Sequence, residues 1–251
     1  MSADPLPILF ADDHIMVVAK PAGLLVHKSN IDFHEPDNLI DRLYRQTGNR
    51  VYPVHRLDKP TSGVLLLALH ADSARILGQQ FEQRTIKKTY SAITRGYTPL
   101  LGCIDHPIGD KDRPGRPKTP AVTEYLTLAQ IELPVCIDRY PTTRYSLVEL
   151  YPNTGRRHQI RQHMKHIDHP LIGDTSYGKS KHNRFFQRHF DCHRLLLHAT
   201  GLTFNHPATG EVHTIHSPPQ ASLDNGQFAR VLNHEHWQAV SNSGAGRQPA
   251  Q

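Results

Sequence analysis

The side chains best placed to do chemistry stand together in "VHRLDKPTSG", residues 54–63. A single carboxylate, Asp58, lies among His55, Arg56 and Lys59, and Pro60, Ser62 and Gly63 follow at once. Such a segment can be plain structure, since Asp bonds its own backbone two residues on and Lys-Pro-Thr-Ser-Gly has turn chemistry throughout. For an isolated Asp-Lys-Pro, structure is the better choice. The chemical alternative is that the cations keep the acid ionised, as a nucleophilic carboxylate must be, and draw a polyanion to it.

A second basic group, "NTGRRHQIRQHMKH" over residues 153–166, sets Arg157, Arg161 and Lys165 at i, i+4 and i+8. On one helix those three project from one side. A run of this kind is ordinarily a solvated face. Its functional alternative is a rail for phosphates with one arginine turned inward to a carboxylate, which suits the planar guanidinium fork. Tyr90, in "KKTYSAI", is either a core tyrosine or a ring that stacks on a base. The histidines do not form a metal site by pattern: His163, His166 and His169 lack a suitably placed acid, and neither H-E-x-x-H nor paired C-x-x-C occurs. His198, in "RLLLHAT", reads as a satisfied core histidine. Walker, dinucleotide and G-x-S-x-G motifs are absent, so neither nucleotide-dependent transfer nor serine hydrolysis has support.

The elements that must position these groups follow from periodicity. Two short strands flank an Asp-Asp turn near residue 12, the second over 15–19. Further strands fall at 64–69, 87–97, 121–131, 143–151, 194–199, 201–205 and 211–216. Helical spacing marks 37–46, capped by Asp37 or Asn38, then 72–83, capped by Asp72, and 156–167. Residues 103–120, rich in Pro and Gly, read as an exposed basic loop. Strands outnumber helices without regular alternation, which points to an α+β fold with a mixed, largely antiparallel sheet. Residues 1–240 are expected to form a single domain and 241–251 a disordered tail.

The chain has 251 residues and a net charge of +6, with 37% hydrophobic residues. Length suffices for a sizeable core. No apolar run approaches the roughly 20 residues of a spanning helix, and the N-terminus lacks the form of a signal peptide. Three dispersed cysteines suit a reducing cytoplasm. The sequence pI near 9.3 favours a nucleic-acid partner over a membrane.

In order along the chain stand "KPAGLLVH" (20–27), "HRLDKPTSG" (55–63), "KKTYSAI" (87–93), "TGRRHQIRQHM" (154–164), "HPLIGD" (169–174) and "RLLLHA" (194–199). Together these resemble the RluA-type RNA pseudouridine synthases, over roughly residues 8–217. Within that family, "RYPTTRYSLVELYPNTGRRHQIRQHM" and the length are most similar to the branch that modifies uridine 65 of certain tRNAs. The resemblance implies a catalytic Asp58, an active-site Tyr90 that stacks on the uracil, and Arg161 as basic partner of the aspartate. Arg56 is similar to the arginine that fills the gap left by the extracted base. His55, Arg157, Lys165 and Lys20 join Arg56 as the expected RNA-binding residues. The resemblance implies no cofactor and no metal, RNA and most specifically tRNA as partner, and a monomer. Residues 103–120 and 175–192 are the expected selectors of the RNA target.

Overall fold

The computed structural model of the protein describes residues 5–27, 37–109, 115, 117–221 and 224–240. Strands β1 (Ile8–Ala11) and β2 (Ile15–Lys20) turn around Asp12, whose carboxylate accepts the N–H groups of His14 and Ile15. Helix α1 (Leu39–Thr47) is capped by Asn38, which accepts from the Asp41 N–H, and ends at Gly48 in the left-handed conformation. Next come β3 (Tyr52–Pro53), β4 (Ser62–Ala68), α2 (Ala71–Glu82), β5 (Lys87–Arg95), β6 (Leu101–Asp105), β7 (Val122–Leu133) and β8 (Thr143–Pro152). The remainder is α3 (Gln159–His166), α4 (Ser180–Phe190), β9 (Leu197–Asn205), β10 (Val212–His216), α5 (Gln227–Leu232) and β11 (Gln238–Ala239).

The strands form one 11-stranded sheet in the order β1-β2-β4-β9-β5-β8-β7-β11, with β3 on β4, β6 on β7 and β10 on β9. Among the described strands, the pairings are antiparallel except β4 with β9, where Ser62 and Gly63 run parallel to His198 and Ala199. That junction is very close. Gly63 has φ +115°, and a Cβ there would meet the Ala199 carbonyl oxygen at 2.1 Å. Only glycine supplies both the conformation and the space. The fold is thus α+β with a mostly antiparallel, mixed sheet.

Strands β2 and β4 are buried at every position, which explains their continuous apolar runs. Leu39 and Leu43 of α1 pack with Leu57, Leu65 and Leu67, and Ile160 and Met164 of α3 pack with Ala92, Val148 and Leu150. Tyr90 of β5 packs against both clusters and so floors the gap between them. A further cluster joins Leu77 of α2 to Val64 and Leu66, and another joins Phe186 and Phe190 of α4 to Ile93 and Tyr145.

Several expected elements differ. His70, not Asp72, occupies the N-cap of α2, leaving Asp72 in the first turn where it complements the helix dipole. Part of the expected loop 103–120 is strand β6, paired with β7, and an isolated bridge joins Ile108 to Thr119. Its basic residues Lys111, Arg113 and Arg116 lie outside the described residues, as does the tail 241–251. The expected strands 194–199 and 201–205 are one strand, β9, whose pairing shifts opposite Thr89 and Tyr90. Residues 180–190, within the expected loop 175–192, form α4. Its charged face hid a buried face of His182, Asn183, Phe186 and Phe190. Among the described residues no helix is long and apolar enough to cross a membrane.

Candidate active site

Asp58 lies in the turn that leads into β4. Leu57, buried, anchors one side of it, and the Thr61 N–H bonds back to the Asp58 carbonyl at 3.0 Å. The next carbonyl, of Lys59, accepts from the Gly23 N–H at 2.8 Å and from Lys20 Nζ at 3.1 Å. Turn chemistry is therefore present, and it holds the carboxylate at the edge of a cleft, with the side chain 19% exposed. The cleft has a volume of about 540 Å³ and is lined by Asp58, Arg56, Tyr90, Lys88, His158 and Arg161, among others. That lies within the roughly 300–1,000 Å³ of typical ligand sites.

Arg161 is the cation that Asp58 faces, with Nη1 3.6 Å from Oδ2. Its fork, however, goes to Asp174: Nε to Oδ2 at 2.7 Å and Nη2 to Oδ1 at 2.9 Å. Asp174 also accepts the N–H groups of Ser176 and Tyr177 at 2.8 and 2.9 Å. Burial by itself would raise the Asp174 carboxyl, but the guanidinium and those N–H groups hold it below the ordinary carboxylate value. Burial opposes the Arg161 charge, and the two carboxylates outweigh it, so its pKa is raised. The Tyr177 ring lies 5.2 Å from the guanidinium carbon, and the Tyr177 hydroxyl is 3.1 Å from His158 Nδ1. His158 Nε2 in turn stands 3.9 Å from Asp58 Oδ2. Burial lowers the His158 pKa against the pull of Asp58.

The expected catalytic residues Asp58, Tyr90 and Arg161 thus come to one cleft. Burial first, and the Asp58 charge second, raise the Tyr90 phenol well above its ordinary value, so it stays protonated. Arg56 is exposed and lines the cleft. His55 lines it too, but not as a cation. Its Nε2 accepts the Leu66 N–H at 3.0 Å, its ring stacks on Phe81 at 4.6 Å, and burial pushes its pKa down to about 3. Lys20 is 1% exposed, and its amine donates to the carbonyls of Pro21, Leu24 and Lys59. It braces the aspartate turn from below and does not reach the surface. Burial lowers its pKa to about 7 despite the nearby Asp58.

Of the rail offered as the alternative to a solvated face, the single helical row is not formed, but one arginine, Arg161, is turned inward to a carboxylate. Helix α3 begins at Gln159, because His158 takes a left-handed conformation with φ 55°. Gln159 then fixes the entry: its oxygen accepts from the Thr154 hydroxyl and the Arg156 N–H, and its amide donates to the Val122 carbonyl and Thr123 Oγ1. Arg157 is exposed before the helix, Arg161 is buried within it, and Lys165 is exposed beyond the cleft lining. Asp174, His158, Lys88 and Arg84 are site residues that spacing did not single out. For Asp174 a signal existed in "GDTSY", an acid poised to accept the N–H groups two and three residues on.

Residues 14–166 match the family model for RNA pseudouridylate synthase. A tRNA pseudouridine synthase C of Yersinia pestis is 50% identical over 218 residues, 84% of this chain and 85% of that protein. This chain belongs to the RNA pseudouridylate synthase family. Another protein of the same description, from Haemophilus influenzae, is 44% identical over 243 residues, 94% of this chain and 100% of its own length. One from Pectobacterium carotovorum is 51% identical across 84% of this chain, which spans 58% of that longer protein. Among solved structures, Human RNA Pseudouridylate Synthase Domain Containing 1 aligns with a TM-score of 0.68 and 25% identity, covering 94% of this chain and 89% of its own. The parallel contact at Gly63 sets the aspartate turn beside β9, next to β5, within the sheet.

Proposed function

We propose that this pseudouridylate synthase acts on tRNA and isomerises uridine 65, with Asp58 as the group that acts on the nucleotide. The observation that carries the proposal is one carboxylate, faced by Arg161 at 3.6 Å, in a cleft floored by Tyr90. Uridine and pseudouridine are isomers. The N1–C1′ bond breaks, the uracil turns, and a C5–C1′ bond forms; C5 gives up its hydrogen as a proton and N1 takes one up, so the atoms balance. No redox step and no added group are needed, so the residues of the cleft suffice in kind. The base must first leave its stack, which costs a few kcal/mol. Phosphate contacts and stacking on Tyr90 offset that cost. The protonated Tyr90 hydroxyl then assists proton movement at the uracil.

We read the enzyme as a monomer, since its own Asp58, Tyr90 and Arg161 meet in one cleft. The sheet path from Ile8 to Ala239 supports residues 1–240 as one catalytic domain. Cys103 and Cys136 are exposed and Cys192 buried, all free, which suits a reducing cytoplasm. Carbodiimide mapping of total RNA from cells with and without the gene tests the target: the signal at uridine 65 of tRNA should vanish without it. Asp58→Asn should abolish product while leaving RNA affinity close to wild type. Comparable turnover by that variant would remove Asp58 from the chemistry.

A further inference from the structure

Among the described residues, one cation of the cleft forms no ion pair. Lys88 stands two residues before Tyr90 on β5, and both line the cleft. Its Nζ donates to the Thr154 carbonyl at 2.8 Å. An ammonium has three N–H donors, so two remain for a ligand. Arg84 lies beside it past the end of α2, in a left-handed conformation with φ 59°. Among the described residues, neither has a carboxylate within the 4.0 Å of an ion pair. Gly155 lies beside the amine, where even an added Cβ would stay 3.9 Å from Nζ, so residue 155 places no side chain over it. A half-buried Lys88 with a like charge, the exposed Arg84, beside it and without a counter-ion opposes folding. The arrangement is that of an anion site.

We propose that Lys88 and Arg84 form the subsite for the RNA phosphate next to the extracted uridine. The proposal rests on the reading of this cleft as the place where uridine is isomerised, and it deepens it. Residues two apart on a strand repeat at about 7 Å. That separation is comparable to the reach of one nucleotide from phosphate to base. Tyr90 would therefore receive the base while Lys88 and Arg84 hold the backbone beside it. Binding at this phosphate supplies part of the energy that keeps the base out of its stack. Besides Asp58, the charged and titratable groups that line the cleft with Lys88 are His55 and Arg56 from the aspartate turn, Glu82 and Arg84 from the end of α2, Tyr90 on its own strand, Arg156 and His158 from the loop before α3, and Arg161 on α3. Burial first, and Arg84 second, bring the Lys88 pKa down to about 8. A bound phosphate would raise it again. RNA affinity should then be full below pH 8 and fall as pH rises through that value.

The test uses the full chain and an unmodified tRNA transcript that contains uridine 65. Lys88→Met should weaken binding about tenfold at 0.1 M salt, the scale of one charge-assisted bond. It should also reduce the slope of log affinity against log salt by about 0.7–0.9, the value of one phosphate contact. Lys88→Arg should restore affinity and abolish its decline above pH 8, since the guanidinium stays charged. Unchanged affinity and salt slope in Lys88→Met would overturn the subsite. If that variant unfolds, Lys88→Arg decides alone: a decline above pH 8 identical to wild type overturns the proposal. Binding and turnover are read separately. A wild type that binds in this Lys88-dependent way yet forms no pseudouridine supports the phosphate site and refutes the function.

Discussion

Arg161 is shared between two carboxylates, and the sharing is unequal. Asp174 takes the bidentate fork, while Asp58 meets a single nitrogen at the longer distance of 3.6 Å. Asp174 therefore orients the guanidinium, and Asp58 keeps lone pairs that face the cleft. Asp174→Asn leaves a buried cation half-answered and should destabilise the protein by about 3 kcal/mol, the scale for breaking a buried pair. Urea unfolding measures it. The pH dependence has a defined sign. The folded-state pKa of Asp174 is below its ordinary 3.8, so its contribution is fully present above that value and is lost as pH falls through the lower, folded one. Stability measured from pH 5 downward should decline less steeply in Asp174→Asn than in wild type. Arg161→Lys should also impair turnover, because an ammonium cannot serve both acids with a planar fork. A wild-type rate would show that the fork has no part in catalysis.

At the scale of elements, the site depends on where β4 meets β9. The aspartate turn ends at Ser62, whose hydroxyl lies 2.7 Å from His198 Nδ1 and accepts from Arg194 Nη2 at 2.6 Å. His198 is the satisfied core histidine that its sequence context suggested, with Nε2 2.9 Å from the Ser217 carbonyl. Gly63 follows with its backbone against Ala199. Gly63→Ala combines a positive φ with a backbone collision and should cost at least about 2 kcal/mol. A denaturant midpoint indistinguishable from wild type would show that the strands can separate there without loss. The start of α3 is the matching element across the cleft. "TGRRHQIRQ" reads as helix from residue 156, yet the left-handed His158 delays it to Gln159. That delay decides which arginine is buried. Helical periodicity ranks Arg157, Arg161 and Lys165 alike. The tertiary contacts of Gln159 and Asp174 separate them.

For the whole molecule, the net charge of +6 draws RNA without choosing a sequence. Affinity for a tRNA transcript should fall steeply and log-linearly with salt, with a slope that reports the number of phosphates engaged. A flat response would exclude the basic surface as the docking face. Not every basic residue contributes to that slope. Lys20 is enclosed by carbonyls, and His55 is neutral, so substituting either should act on the fold before it acts on RNA. Arg56, Arg157 and Lys165 are exposed, so their charge faces solvent and can act on RNA from there.

Much of the site was legible before any coordinates. "HRLDKPTSG", "KKTYSAI" and "TGRRHQIRQHM" hold Asp58, Tyr90 and Arg161, and alternating or continuous apolar runs mark most of the strands. Local pattern carries such information because turns, caps and strand faces are set by neighbours along the chain. What only tertiary structure decided is the pairing of groups far apart in sequence. Asp174 takes the Arg161 fork, Lys20 serves the turn 39 residues away, and Lys88 reaches across the cleft to the Thr154 carbonyl, 66 residues on. Each outcome depends on burial and on which side chain arrives opposite, and neither is encoded in the spacing of residues along one element.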